Sequence, residues 1–400
     1  MASTAIHKEE EKTEYFDSPE VLDQKCAKLA QLIKDSKHFV GYTGAGISTG
    51  CGIADYRSGY NTCMPTGPGG WEKAALKKEY KKKAVQVPMT GATPSDTHMA
   101  FVELQNRGHL KYMVSQNVDG LHRLSGIHAH NLSDVHGNMN VERCEKCKFE
   151  QVKDGSVKNR ELKNHYTGRT CPQAGCNGKM RDTIINFGEN CDENVFDLAQ
   201  QSHFAADLCL AMGSSMRLGH VTPMPIGVAQ RGGNLVIINL QKTPIDKHAN
   251  MIIHGKCDEV MRLVMKKLNY QIPKWQMTRK LRITDNKNEV VFAGVDTNGA
   301  PYDFIKGISV TGLNKQASAF TNKGGPVKVK YDGKAKSAHL KISFYGKRQE
   351  KDIQFKIDME AVRATGQNEF DMVFNPQTRL WEVVIAYDKS GEVMGFVEFK

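Results

Sequence analysis

The chain has 400 residues, 40% hydrophobic and 25% charged, which is too long for one ordinary domain and too apolar for a disordered chain. No apolar run approaches the ~18 residues a membrane-spanning helix needs, and the charged stretch from Met1 to Glu14 lacks the apolar centre of a secretory leader. A reducing compartment is expected, with the ten cysteines as thiols or metal ligands, and the net charge of +11 either suggests an acidic partner (nucleic acid, chromatin or anionic lipid) or serves solubility alone.

Residues 1–17 read as a loose polar arm. Ser18-Pro19-Glu20 has the N-cap, first-turn proline and early acid of a helix start, and Val21, Leu22, Cys26, Leu29 and Ile33 follow at helical spacing. The apolar run His38-Phe39-Val40 leads into Gly41-Tyr42-Thr43-Gly44-Ala45-Gly46-Ile47-Ser48. A strand ending in such a turn lets the backbone approach a bulky polar ligand, and open α/β sheets bind ligands at the carboxyl ends of their strands. A Gly-x-Gly pair is equally at home in an ordinary turn, so the rest of the chain decides.

Asp55 and Arg57 stand just past this turn, either as a functional pair or as a surface ion pair of ~0–1 kcal/mol. Residues 58–70, rich in Gly, Pro, Asn and Thr, have the length of a lid or of a disordered loop, and the lysines from Lys77 to Lys83 read as the solvated face of a helix. Thr93-Pro94-Ser95-Asp96 opens another helix, which runs to Gly108. The strand Leu110–Ser115 then places Gln116-Asn117-Val118-Asp119-Gly120-Leu121-His122 at its carboxyl end, where buried amide and acid groups need partners. His136 lies between this loop and a cysteine cluster, a position that suits a base.

Cys144-x2-Cys147 and Cys171-x4-Cys176 form two knuckles that suit tetrahedral zinc with four sulfurs. Four thiolates leave no open position, so the metal is expected to be structural. Cys26, Cys51, Cys63, Cys191, Cys209 and Cys257 have no paired spacing. Apolar runs at 183–187, 208–212 and 234–238 lack alternation, as strands buried on both faces of a parallel sheet do. With helices expected at 196–204 and 258–268, the pattern from 38 to 268 predicts a doubly wound, Rossmann-like α/β fold. From Trp275 the pattern changes to short alternating runs, including 327–331, 339–344, 353–357, 380–385 and 396–399, which predict an all-β sandwich or barrel. Between Lys306 and Lys356 stand twelve Lys/Arg against three Asp/Glu, as consistent with a solvated positive face as with a polyanion-binding surface.

In combination and in order, GAGIS, GIADYR, QNVDGLH, the HGN around His136, the paired cysteines, FGE, GSS and NLQ resemble the sirtuin family, over about Ser18 to Trp275. DYRS, SQNVDGLHRLSG, HGNM, TGRTC, RDTIINFGE and HGKCDEVMRL are most similar to its class IV branch, which includes nuclear, chromatin-associated members. The resemblance implies a deacylase domain at 18–274 that contains a zinc module at about 137–182, followed by a β region at 275–400 outside the family pattern.

It further implies NAD-dependent removal of acyl groups from lysine, with histones or other nuclear proteins as substrates and the nucleus as location. Gly44, Ala45, Gly46 and Ser48 would line the cofactor site, with Asp55 and Arg57 on the cofactor loop. Gln116 and Asn117 would hold the nicotinamide ribose, and Asp119 the nicotinamide amide. Gly213, Ser214 and Ser215 would meet the phosphates and adenine ribose, and Asn239, Leu240, Gln241 and Cys257 would sit at the adenosine end. Phe187-Gly188-Glu189 would form an edge to which the substrate peptide adds as a strand. Neutral His136 would take a proton from a ribose hydroxyl, and the products would be free lysine, nicotinamide and O-acyl-ADP-ribose.

Two positions depart from the family pattern: Ala54 stands where proline is usual, and the loop from Ser58 to Gly70 is longer. Alternatives that use the same residues are mono-ADP-ribosyl transfer and a low-turnover NAD-binding adaptor for chromatin or RNA, in which the β region does the work.

Overall fold

The computed structural model describes residues 9–76, 84–159, 161–296, 299–313, 318–321, 326–345, 350–375 and 380–387. The lysine run 77–83 and the strand expected at 396–399 lie outside them. The chain divides into two compact units, residues 1–138 with 185–275, and 139–184 with 276–400.

The first unit is built on a six-stranded parallel sheet. In chain order its strands are Phe39–Thr43, Leu110–Ser115, Leu132–Asp134, Leu208–Met212, Asn234–Ile238 and Met251–Ile253. Numbered in that order they lie 3-2-1-4-5-6 across the sheet. The order reverses beside Phe39–Thr43, which makes the carboxyl ends of the first and fourth strands the switch point of a doubly wound sheet. Alternate residues feed two cores. Phe39, Leu208, Leu210, Met212, Val236 and Ile238 meet the helices Pro19–Asp35, Asp96–Asn106 and Cys257–Leu268. Val40, Tyr42, Cys209, Ala211, Leu235 and Ile237 meet Glu193–Ala205 and Pro223–Gln230. Because both faces are covered, the central strands need no polar alternation, which is why runs such as Leu208–Met212 and residues 235–238 are continuously apolar.

The start of the first helix follows its sequence signals: Pro19 stands in the first turn and the Val21 N–H donates to Ser18 Oγ. Two expectations are corrected. The run Thr183–Phe187 is not a strand. Its backbone donors are taken one at a time instead: Ile184 N–H by Asp182 Oδ1, Ile185 N–H by the His136 carbonyl and Asn186 N–H by Glu189 Oε2. Residues 10–17 are not a loose arm. The Tyr15 N–H donates to the Leu240 carbonyl, Lys12 pairs with Glu72 at 2.8 Å, and Glu14 accepts from Thr62 Oγ1 and the Cys63 N–H. The lid-length loop is thereby tied to the N-terminal strap. The loop also closes on itself, since Ser58 donates to Asp55 and the Gly69 N–H to the Ser58 carbonyl.

In the second unit the cysteine segment forms a five-stranded sheet ordered Tyr302–Asp303, Glu150–Lys153, Val141–Cys144, Lys179–Asp182, Tyr166–Thr170. Its edge strand comes from the C-terminal region and pairs in parallel, Tyr302 with Val152 and Asp303 with Lys153. Arg279 and Asp154, each 3% exposed, pair at 3.1 Å, and the Arg279 guanidinium lies 4.3 Å from the centre of the Tyr302 ring. The remaining C-terminal strands form two antiparallel sheets. One is ordered Val327–Lys330, Glu289–Val295, Met277–Asp285, Gln367–Asn375, Leu380–Tyr387, and the other Ser318–Thr321, Ile305–Thr311, Ser337–Phe344, Ile353–Asp358. Strict in-out alternation, as in Ile353–Asp358, matches the period of 2 read from the sequence.

Three buried histidines in the first unit give it a specific acid sensitivity. Burial pushes His98 down to about 3 and His203 to about 4, and burial with the neighbouring His98 holds His122 well below its ordinary value. These groups are neutral when folded, whereas the unfolded chain takes up their protons below a pH of about 6.5. Stability is therefore full above that value and is lost as pH falls toward the folded-state values, by at most about 1.4 kcal/mol per pH unit for each histidine. Calorimetry is expected to show the melting temperature falling between pH 7 and 5. A melting temperature constant over that range would contradict this account.

Candidate active site

A cavity of about 910 Å³ opens at the switch point of the first unit, toward the upper end of the ~300–1,000 Å³ usual for small-molecule sites. Its floor is two glycine turns in contact. The Gly46 N–H donates to the Gly213 carbonyl at 2.8 Å, and a Cβ on Gly46 would lie 2.7 Å from Gly213 Cα. A Cβ on Gly44 would lie 2.8 Å from the Gly213 carbonyl oxygen, and Gly213 itself has φ +57°. The space these glycines save is used by each other's backbone, so the turns after the first and fourth strands meet without side chains between them.

Above this floor the loop after the second strand supplies the polar wall. Gln116 Nε2 donates to Ser214 Oγ at 2.9 Å, and Asn117 Nδ2 to the Gly44 carbonyl at 3.1 Å. Asp119 lies behind the wall, where it accepts from Ser48 Oγ at 2.7 Å and the Leu121 N–H at 2.9 Å. Burial pushes its carboxyl upward against these bonds. Burial also raises Asp55 and lowers Arg57 to about 10, with Arg217 adding to the second effect.

His136 follows the third strand and reaches the cavity half-buried. Its Nδ1 lies 2.9 Å from the Gln116 carbonyl oxygen, which can only accept. Nδ1 therefore carries the proton, and the neutral ring presents a bare Nε2. Burial first, and then the nearby His220, holds its pKa below the ordinary value, while the bond to Gln116 opposes the shift.

The cavity brings together Gly44, Ala45, Gly46, Asp55, Arg57, Gln116, Asn117, His136, Phe187, Gly188, Glu189, Gly213, Ser214, Ser215, Asn239, Leu240, Gln241 and Cys257. Of the residues expected there, Ser48 and Asp119 support the wall from behind rather than lining it. Phe187 is 73% exposed beside Trp71, at 5.5 Å between ring centres, and Trp71 also carries the Arg57 guanidinium at 4.3 Å. Sequence reasoning missed Glu14 and His220, which also line the cavity. Glu14 falls in the polar arm read from the sequence, and nothing in the spacing of His220 distinguishes it.

In the second unit the Sγ atoms of Cys144, Cys147, Cys171 and Cys176 all lie within 4.8 Å of one another. Cys144 and Cys176 are 3.5 Å apart and Cys147 and Cys171 3.6 Å. These separations are far too long for disulfides, which measure ~2.05 Å, and approach the ~3.8 Å expected between sulfurs each ~2.3 Å from a tetrahedral zinc. The Lys146 N–H points to Cys144 Sγ at 3.4 Å, and a Cβ on Gly178 would lie 2.5 Å from that sulfur, so the turn there must be glycine. The donor set fits one zinc with no position open to water.

Residues 44–222 match the Sir2 family. The NAD-dependent protein deacetylase SRT1 of Arabidopsis thaliana is 42% identical over 261 residues, 65% of this chain and 52% of that protein. The NAD-dependent protein deacetylase Sirt6 of Drosophila melanogaster is 36% identical over 272 residues, 66% of this chain and 81% of that one. The NAD-dependent protein deacetylase sirtuin-7 of Homo sapiens is 39% identical over 280 residues, 66% of this chain and 65% of that protein. The chain thus spans about half the length of the plant relatives it matches, and each alignment leaves about a third of the chain outside it.

The purified protein is expected to carry one zinc, and Cys171→Ser is expected to abolish it and to open the second unit. Elemental analysis reads the first effect, and fluorescence of the buried Trp381 reads the second. Full metal content in Cys171→Ser would remove the four-sulfur assignment.

Proposed function

This chain belongs to the Sir2 family, and from that premise we propose that it is an NAD-dependent protein-lysine deacylase, acting on histones or other nuclear proteins in the nucleus. The observation that carries the reading is a neutral imidazole on the wall of a large cavity at the switch point of a parallel sheet. The glycine cradle and the converging polar side chains fit NAD. Gly44 to Gly46 and Gly213 to Ser215 would hold its phosphates and adenine ribose. Asn239, Leu240, Gln241 and Cys257 would hold the adenosine end. Gln116, Asn117 and, from behind, Ser48 and Asp119 would hold the nicotinamide riboside. Bound NAD would supply an electrophilic ribose carbon as nicotinamide departs.

The protein's own contribution is positioning and proton transfer. The side-chain amides of Gln116 and Asn117 are fixed by their bonds to Ser214 and Gly44, so they would meet developing positive charge without reorganisation. His136 keeps Nδ1–H on the Gln116 carbonyl and offers Nε2 to a ribose hydroxyl proton. The low pKa keeps that atom free of a proton near neutral pH. Phe187 to Glu189 form an exposed turn that lines the cavity, where a substrate peptide would approach. The expected products are free lysine, nicotinamide and O-acyl-ADP-ribose. His136→Tyr is expected to lower acyl-lysine turnover by 10²-fold or more, on the scale of a lost general base, with NAD binding retained. Mass detection of both products checks this, and turnover that survives the substitution would overturn the role of His136.

A polyanion-binding role for the second unit has separate support. Strand alternation turns Lys306, Lys328, Lys330, Lys341 and Lys356 outward. The full chain is expected to bind heparin or nucleic acid at low salt, with Lys306→Glu plus Lys356→Glu weakening binding and flattening its salt dependence. Absence of binding by the unaltered chain at low salt would end this reading.

A further inference from the structure

His220 has no part in the reading above, yet its Nε2 lies 3.1 Å from the Nε2 of His136, with the rings tilted at 60°. Two nitrogen lone pairs do not sit at that distance, so one atom must carry a proton. His136 has spent its single proton on the Gln116 carbonyl through Nδ1, 2.9 Å away. The proton between the rings therefore belongs to His220, which donates Nε2–H to the bare Nε2 of His136. The backbone partner of one histidine thus fixes the tautomer of both.

The position of His220 is built rather than incidental. It stands at the tip of a turn closed on the Leu218 carbonyl, which accepts from the Val221 and Thr222 N–H groups and from Thr222 Oγ1. Val221 is fully buried, and Met216, on the other side of the turn, is buried at φ +53°. The loop begins at Gly213-Ser214-Ser215, and Ser214 accepts from Gln116, the residue whose carbonyl holds the other end of His136. Both ends of the His136 ring are therefore referred to the same pair of loops.

We infer that His220 is a positioning residue for the proton acceptor: its Nε2–H holds the His136 Nε2 toward the cavity and occupies that lone pair until a substrate hydroxyl replaces it. The inference rests on the deacylase reading for its function, but not for the pairing. When the hydroxyl enters, its O–H takes the place of the His220 N–H. The proton passes from oxygen to His136 Nε2, and the oxygen keeps the electron pair. His136 then holds two protons and one positive charge, still bonded to Gln116, while His220 remains neutral and turns toward solvent, where it is already exposed. A donor aimed at Nε2 also resists early protonation, because a proton on His136 would face the N–H of His220. Other ionisable groups reach the cavity from Asp55 and Arg57, from Glu189, Glu193 and Asp197, and from Glu14 and residues 256–262. None of them contributes to the His136 shift, which burial and His220 drive downward and the Gln116 bond opposes.

The test is an NMR titration of the histidine rings in the full, zinc-loaded, NAD-free chain, with His136 identified by its absence in His136→Asn. His220→Ala is expected to raise the His136 midpoint by about half a pH unit or more. His220→Gln, whose amide nitrogen can occupy the same place as a donor, is expected to return it most of the way. In turnover of an acetyl-lysine peptide the acid limb of kcat/KM should move upward by the same interval in His220→Ala. An unchanged His136 midpoint in His220→Ala would overturn the inference even if the unaltered chain deacylates normally. A raised midpoint in a chain that never turns over acyl-lysine would support the pairing and remove the deacylase reading instead.

Discussion

Backbone meets backbone where the first and fourth strands of the parallel sheet end, and the cavity depends on that meeting. Gly46 and Gly213 leave no room for a Cβ between them. A larger residue at either position would wedge apart the two turns that carry Ala45 and Ser48 on one side and Ser214 and Ser215 on the other. Gln116 and Asn117 bond to these turns and not to one another, so the wall is positioned by the floor. His136 is positioned in turn by the Gln116 backbone. A chain of short-range constraints therefore runs from a glycine contact to the tautomer of an imidazole.

The parallel sheet was legible because both its faces are buried: runs such as Leu208–Met212 and Asn234–Ile238 cannot alternate when helices cover each side. The cysteine knuckles were legible because four sulfurs around one metal demand a spacing that chance rarely supplies. Thr183–Phe187 misled because apolar composition resembles a strand whether or not a neighbour supplies ladder bonds. Here the donors go to side chains and to the His136 carbonyl. The strap at residues 10–17 was illegible for the opposite reason. Its polar side chains look solvated in the sequence, and only in three dimensions do Lys12 and Glu14 find Glu72 and Thr62, and the Tyr15 N–H the Leu240 carbonyl. The pairing of Tyr302–Asp303 with Glu150–Lys153 joins two residues to a strand far away in the chain, and no local pattern announces it.

The second unit shows how a small metal module is extended. Four thiolates would order the knuckles, but a sheet of such short strands has a small apolar core: Cys144, Cys171 and Met180 form a buried cluster with Phe149 and Cys176 packed against it, and Val141 and Val152 of the same sheet are buried too. Stability must come from metal ligation and from charged pairs shielded by packing. Glu142, 1% exposed, is held by Arg169 at 2.7 Å, and Asp154 by Arg279. Shielded pairs of this kind contribute little over an apolar contact, but breaking one by removing a single partner costs about 3–5 kcal/mol, since the other charge stays buried. They favour one arrangement of these strands over others more than they add net stability.

The edge strand Tyr302–Asp303 also bears on the order in which the polypeptide is made. The cysteine segment leaves the ribosome roughly 150 residues before its last neighbour, with one margin of its sheet open and Asp154 lacking its guanidinium. Nascent chains in that condition are prone to pair with each other along the open margin. A truncated protein that stops near residue 275 would remain in that condition permanently.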